Sequence, residues 1–452
     1  MPFPKDFVWG AAASSYQIEG ATQGVDGCGE SVWDMVCRRP GFVAGGDTGF
    51  TACDHYHRVT GDVALMKQIG LQAYRLSVMW PRVLPDGVGR VNEPGLAFYD
   101  RLVDQLLAAG IQPWVTLFHW DYPLALFHRG GWLHPDSPSW FAEYTQVLVD
   151  RLSDRVRHWF TLNEPACFIG LGHQVGEHAP GLQLPPREVN RAWHHALLAH
   201  GDAVQVIRSG SHVSAPMVGA APCFHTFVPM TEDPADIAAA RKQLFSVREP
   251  NMFQAAWSLE PLFAGRYPED GLRLWGEAAP EINDGDLERI HQPLDFLGLN
   301  IYDSAQVRAG DDGEPEVVPY PADHPRTDMG WPVTPGSLRW ASRFLHERYA
   351  KPIVITENGL ASPDWIAPDG AVHDPNRITF LTGYLRGLEQ SIDAGVPVAA
   401  YFQWSIMDNF EWAFGYGRRF GLIHVDYATG RRTLKDSAHW YRDLIDRNGA
   451  GL

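Results

Sequence analysis

The chain holds 452 residues, 45 % of them hydrophobic and 20 % charged, a balance that supports a large buried core and argues against disorder. A formal charge of −17 argues against nucleic acid or an acidic membrane as partner, since both need a positive surface, and favours a neutral small molecule. The cysteines Cys28, Cys37, Cys53, Cys167 and Cys223 are odd in number and lack CxxC spacing, so neither a disulfide framework nor a zinc ribbon is indicated and a reducing compartment is the simpler reading.

At the start, Met1-Pro2-Phe3-Pro4-Lys5-Asp6 lacks a basic opening followed by an apolar run. Nothing later approaches the ~18 apolar residues of a membrane span, so a cytoplasmic protein without membrane partner is expected. Short apolar runs of strand type then recur at residues 7–11, 73–76, 114–118, 159–162, 217–221, 296–299, 353–356 and 398–402. Among the connections lie amphipathic helical stretches at 98–109, 140–151, 192–207 and 378–394, with Gly110 and Gly395 as stops. Alternation of this kind predicts an α/β fold, a (β/α)₈ TIM barrel with elaborated loops. The length would hold two or three average domains, but no linker, charge block or repeat divides it, so one catalytic domain over residues 1–452 is predicted.

Nearly every predicted strand ends in, or is soon followed by, a polar or aromatic residue: Gln17, Arg75, His119, Asn163 with Glu164, Asn300 with Tyr302, Glu357 and Trp404. Each alone is more often a turn former or helix cap. In a barrel, however, the carboxyl ends of the strands face one bowl, and these residues would converge there. The runs Trp159-Phe160-Thr161-Leu162-Asn163-Glu164-Pro165 and Ile353-Val354-Ile355-Thr356-Glu357-Asn358-Gly359 are apolar almost up to the acid. Two partly desolvated carboxyls facing each other are what glycoside hydrolysis requires. The 17 tryptophans, many beside polar residues, suit stacking on a sugar as well as ordinary core packing.

These two runs resemble the strand motifs of glycoside hydrolases of family 1, which include β-glucosidases. The likeness extends through Phe7-Val8-Trp9-Gly10, Ser15-Tyr16-Gln17-Ile18-Glu19-Gly20, Asp54-His55-Tyr56-His57, Arg75-Leu76-Ser77 and His119-Trp120-Asp121. It continues in His178-Ala179-Pro180-Gly181, Asp408-Asn409-Phe410-Glu411-Trp412 and Arg419-Phe420-Gly421-Leu422, essentially the whole chain. The resemblance implies a retaining double displacement with Glu164 as acid/base and Glu357 as nucleophile. At the roughly 5–5.5 Å spacing of retaining enzymes, an ionised Glu357 would disfavour ionisation of Glu164 by about 3 kcal/mol at an effective dielectric of about 20. That keeps Glu164 largely protonated at about pH 6.

The same resemblance implies that Gln17, His119, Asn163, Glu411 and Trp412 bind sugar hydroxyls, that Trp404 lies beneath the ring, and that Asn300 and Phe420 support the site. Tyr302 and Arg75 would hold Glu357, although Arg75 also reads as a structural ion-pair partner. A carboxylate at Glu411 would repel a phosphate, so unphosphorylated sugars are expected. Departures from the family pattern fall at Ile301, Glu177 and Phe118, and the aglycone side is placed on variable loops such as 311–326. Trp331 would stack on the aglycone or serve packing.

The implied activity is an exo-acting β-glucosidase with a part in cellulose degradation, with β-galactosidase, β-fucosidase or transglycosidase activity as alternatives and a non-catalytic sugar-binding protein as a remote one. The partner would be a small-molecule glycoside, and no cofactor is expected. No metal is expected either, because His119, His55, His57, His194, His195 and His200 show no HExxH or similar ligand spacing.

Overall fold

Eight parallel strands close into a barrel in the structure, a computed structural model that describes residues 3–452. They are β1 (Val8–Ala12), β2 (Ala73–Ser77), β3 (Gln112–Phe118), β4 (His158–Asn163), β5 (Met217–Ala221), β6 (Phe296–Asn300), β7 (Ile353–Asn358) and β8 (Val398–Trp404). Each pairs with its sequence neighbour, and closure comes from β1 on β8, with Val8 opposite Ala400 and Ala12 opposite Trp404. All eight predicted runs are strands of this barrel, because strands buried on both faces are apolar throughout and stand out from their connections.

Alternate residues of each strand point to opposite sides. One set packs inside the barrel, where Trp114 meets Phe402 at 5.1 Å between ring centroids and Phe160 meets Phe296 at 5.3 Å. Small residues opposite make room for these rings: a Cβ at Gly219 would stand 2.1 Å from the Phe296 ring, and one at Gly10 would stand 2.6 Å from Phe402. The other set, including Val115, Leu117, Ile353 and Ile355, joins the larger core under the helices.

The four predicted helices are present but begin earlier, at Glu93–Ala108, Ser137–Leu152, Pro186–Gly210 and Pro375–Asp393. Each has a proline at its first or second position, where the missing N–H costs no helical bond. Their first turns are polar, so apolar periodicity starts only after them. Gly110 and Gly395 follow the first and last of these helices with φ of 81° and 91°. Beyond the prediction lie a three-stranded sheet (Phe227–Pro229, Ala305–Ala309, Pro315–Val318) and a hairpin (Ile423–Asp426, Arg431–Leu434). The third strand of that sheet falls within the segment 311–326 expected to be loop; it is half exposed, which leaves little apolar pattern to read.

After β8 the chain loops over the barrel mouth and is anchored there by buried ion pairs. Lys435, fully buried, joins Asp364 at 2.5 Å and Asp408 at 2.7 Å. Arg377 pairs with Asp374 at 2.9 Å and also with Asp364, while Arg419 reaches Asp408 at 2.7 Å. The helix Asp436–Asp446 then packs on the outside of the barrel between the helices His55–Ile69 and Pro375–Asp393, its Tyr441 hydroxyl donating to the Gly10 carbonyl of β1 at 2.8 Å. Among the described residues no helix is long and apolar enough to cross a membrane.

Candidate active site

Both acids sit where strand register slips. The pairing of β7 with β6 shifts between Ile355 and Glu357, and that of β4 with β5 shifts between Phe160 and Asn163. Such irregularities re-aim side chains at the rim of a barrel. Glu357 lies within β7 rather than just beyond it. Glu164 follows β4 in the left-handed region, φ 48°, with its amide N–H donating to the Ala221 carbonyl at 2.9 Å. A non-glycine residue held there costs about 1–3 kcal/mol, which its surroundings must offset.

A continuous set of hydrogen bonds joins the two carboxyls across four strands. Arg75 Nη1 on β2 donates to Glu357 Oε1 at 2.5 Å, and its Nη2 donates to Asn163 Oδ1 at 2.6 Å. Asn300 Nδ2 on β6 donates to that same Asn163 oxygen at 3.0 Å and to Glu164 Oε1 at 2.7 Å. Asn163 Oδ1, held as an acceptor by Arg75, requires the Asn300 amide to face it with Nδ2, and the Thr356 hydroxyl donates to Asn300 Oδ1 at 2.6 Å. Tyr302 donates its hydroxyl to Glu357 Oε2 at 2.8 Å. Because Asn163 Oδ1 accepts from Arg75, its Nδ2 is the donor to His119 Nε2 at 3.1 Å, which places the neutral imidazole proton on Nδ1.

The partners separate the two acids electrically. Burial, then the neighbouring Glu357, push Glu164 up to about 8, only partly offset by the Asn300 and Cys167 hydrogen bonds. Burial therefore outranks the Glu357 charge, which the sequence reading had taken as the cause. Burial also raises Glu357, but there the Arg75 guanidinium opposes it directly, aided by Tyr302 and Asn300. Burial and Arg75 hold His119 well below the usual imidazole range, so it is neutral. Glu411 is pushed up to about 8 by burial and by the two acids, against the Gln17 amide that donates to it at 3.2 Å.

A cavity of about 510 Å³ opens on this assembly, and His119, Glu164, Asn300, Tyr302, Glu357, Trp404, Glu411, Trp412 and Phe420 all face it. Gln17 lies in the short helix Ser15–Ile18 rather than directly after β1, and it stands behind Glu411, also bonded to Asn409 and the Phe410 carbonyl. Asn163 and Arg75 lie fully buried beneath the acids. His119 and Trp404 rings are nearly parallel, 17° apart with centroids at 5.8 Å. Trp412 is fixed by Tyr16 behind it, stacked at 10°, and by Trp33 and Trp120. Trp331 reaches the cavity with one face on Tyr302 at 5.2 Å, and Glu177 stands exposed at its edge. Phe118 instead packs among Trp132, Phe141 and Phe168 outside the barrel, so this departure from the family pattern does not bear on the cavity.

Sequence reasoning missed Thr356, which orients Asn300, and Trp120, whose indole N–H donates to the Asn163 carbonyl at 2.9 Å. Both stand in motifs that were quoted, but neither ends a strand. It also missed Cys167, whose thiol donates to Glu164 Oε2 at 3.2 Å, and Cys223, whose sulfur is 3.5 Å from that of Cys167. The available signal was Cys167 one helical turn beyond Glu164. Elsewhere His55 pairs with Asp62, His57 with Asp54, His194 with Asp286, His195 with the Trp132 carbonyl and His200 with Thr161. Among the described residues the one cluster of three metal-ligand types is Glu164, Cys167 and Cys223.

The model of glycosyl hydrolase family 1 matches residues 1–450. "Beta-glucosidase A" of Thermotoga maritima is 42 % identical over 451 residues, covering 99 % of this chain and 98 % of its own. A "Bifunctional beta-D-glucosidase/beta-D-fucosidase" of Bifidobacterium breve is 39 % identical and covers 100 % of this chain and 99 % of its own. The solved structure of the Thermotoga maritima β-glucosidase in complex with glucoimidazole superposes with a TM-score of 0.90, 42 % identity and 99 % of each chain covered. A barrel with paired acids just after β4 and on β7 thus meets a family match along nearly its full length, and the chain belongs to glycosyl hydrolase family 1 as a glycoside hydrolase.

Proposed function

We propose that the whole chain acts as one catalytic domain that releases terminal β-D-glucosyl residues from unphosphorylated glycosides with retention. Glu357 attacks the anomeric carbon while Glu164 gives its proton to the departing oxygen, leaving a glycosyl ester on Glu357. Glu164, now a carboxylate, takes a proton from water as that water attacks the same carbon and frees Glu357. The observation that carries this reading is the asymmetry of the two acids. Glu357 is tied to a guanidinium and a phenol, which suits an ionised nucleophile, whereas Glu164 has only neutral partners and is pushed up to about 8, which suits a proton donor.

The cavity wall supports the substrate class. Glu411, pushed up to about 8, meets hydroxyls as a carboxyl that both accepts and donates, His119 offers its Nδ1 proton, and Trp404 and Trp412 offer aromatic faces to a sugar ring. Among the described residues facing the cavity there is no Lys or Arg, so a phosphate would find no counter-charge on the wall. The glucoimidazole complex and the glucosidase names of the relatives favour glucose as the sugar, and the Bifidobacterium breve relative favours fucosides as secondary substrates. Five free thiols fit a reducing cytoplasm, where oligosaccharides derived from cellulose are the substrates we favour. Incubation with a 2-deoxy-2-fluoro glucoside, followed by peptide mass mapping, is expected to place the label on Glu357. A label on another residue would overturn the assignment.

A further inference from the structure

Beside Glu164 stand two thiols that the reaction above does not use. Cys167 lies one turn beyond Glu164 in the helical segment Ala166–Val175, and Cys223 lies just past β5, the strand whose Ala221 carbonyl holds the Glu164 amide. The two sulfurs are 3.5 Å apart, Cys167 Sγ is 3.2 Å from Glu164 Oε2, and all three ligand atoms lie within 4.8 Å of one another. Zinc bound tetrahedrally holds sulfur at about 2.3 Å and carboxylate oxygen at about 2.0–2.2 Å, which sets S···S at about 3.8 Å and S···O at about 3.5 Å. The Cys167–Cys223 and Cys167–Glu164 spacings differ from those by a few tenths of an ångström, and Cys223 and Glu164 stand within 4.8 Å of each other. Both cysteines and Glu164 face the cavity, so an ion would arrive by the route open to substrate.

The geometry points to a chelating site for a thiophilic cation of the zinc or cadmium kind, formed by Cys167, Cys223 and Glu164, that silences the enzyme by occupying its acid/base carboxylate. Binding sends the two thiol protons and the Glu164 carboxyl proton to solvent and leaves two thiolates and one carboxylate on the ion, with the fourth position toward the cavity. Soft sulfur donors select such cations over magnesium or calcium, which prefer all-oxygen sets. Cys28, Cys37 and Cys53 belong to no such cluster among the described residues. The silencing rests on the role proposed above for Glu164; the chelation does not.

Cadmium chloride titrated into the reduced full-length protein tests it. The ultraviolet cadmium–thiolate charge-transfer band is expected to saturate at one equivalent. Glucosidase activity is expected to fall about 100-fold in step, the loss typical of a disabled general acid/base, and to return on adding chelator. Magnesium should do neither. C223A is expected to lose the band and to stay active at the cadmium concentration that silences the parent; C223S, closer in size, replaces it where alanine disturbs folding. A band absent in the parent, or unchanged in C223A, overturns the site. A band without inhibition overturns the silencing and counts against Glu164 as acid/base. Lost metal binding with fluoro-glucoside labelling intact removes this inference alone.

Discussion

Glu164 and Glu357 are the same side chain under different neighbours, and their separate behaviour follows from four hydrogen-bond partners. As a proton donor Glu164 must keep its proton, so kcat/KM for a glucoside is expected to fall as pH rises through about 8, the value to which burial and Glu357 push it. Glu164→Ala should flatten that alkaline limb, leaving only the part set by Glu411, which is pushed up to about 8 as well. It should slow alkyl glucosides about 10²–10⁴-fold while leaving the first step on dinitrophenyl glucosides nearly intact, because a good leaving group needs no proton. Equal losses on both substrates would count against the role. Arg75 acts in the opposite direction, holding Glu357 down against burial. In Arg75→Met the buried carboxyl loses its counter-charge and rises further, so the acid limb should move to higher pH and the fold should lose about 3–5 kcal/mol, read by denaturant melts.

Among the elements, the strands were legible and their ends were not. Runs such as Ile353-Val354-Ile355 announce a buried strand by composition, and the polar residues that end them marked Arg75, His119, Asn163, Asn300 and Glu357. The register slips in β4 and β7 left no mark, since a bulge depends on the partner strand. Gln17 was rightly singled out by motif but stands behind Glu411, a relation set by the long loop after β8 that no local pattern encodes. Thr356 and Cys167 looked like ordinary strand and helix residues because their worth is a single bond to a distant or re-aimed partner. Inside the barrel the fit of small against large is tight. Gly219→Val would drive its Cβ to 2.1 Å from the Phe296 ring and should cost about 1–3 kcal/mol or more. Adding Phe296→Leu should recover part of the lost melting temperature.

On the scale of the molecule, the loop carrying Asp408, Glu411, Trp412 and Arg419 is pinned from behind by Lys435, which balances Asp364 and Asp408 in a fully buried setting. Lys435→Met would leave both carboxylates with less counter-charge, at about 3–5 kcal/mol. It should raise KM more than it lowers kcat on glucosides, since the loop carries binding groups while Glu164 and Glu357 stay on their strands.

The pairing of β1 with β8 joins residues nearly four hundred positions apart. A nascent chain therefore has both acids in hand long before it has an enzyme, for the wall that aligns them is finished only when Val398–Trp404 docks between its neighbours. Ribosome-arrested chains that end ahead of that strand are expected to be protease-sensitive and inert, and those extended well past the helix Asp436–Asp446 to gain resistance and turnover together.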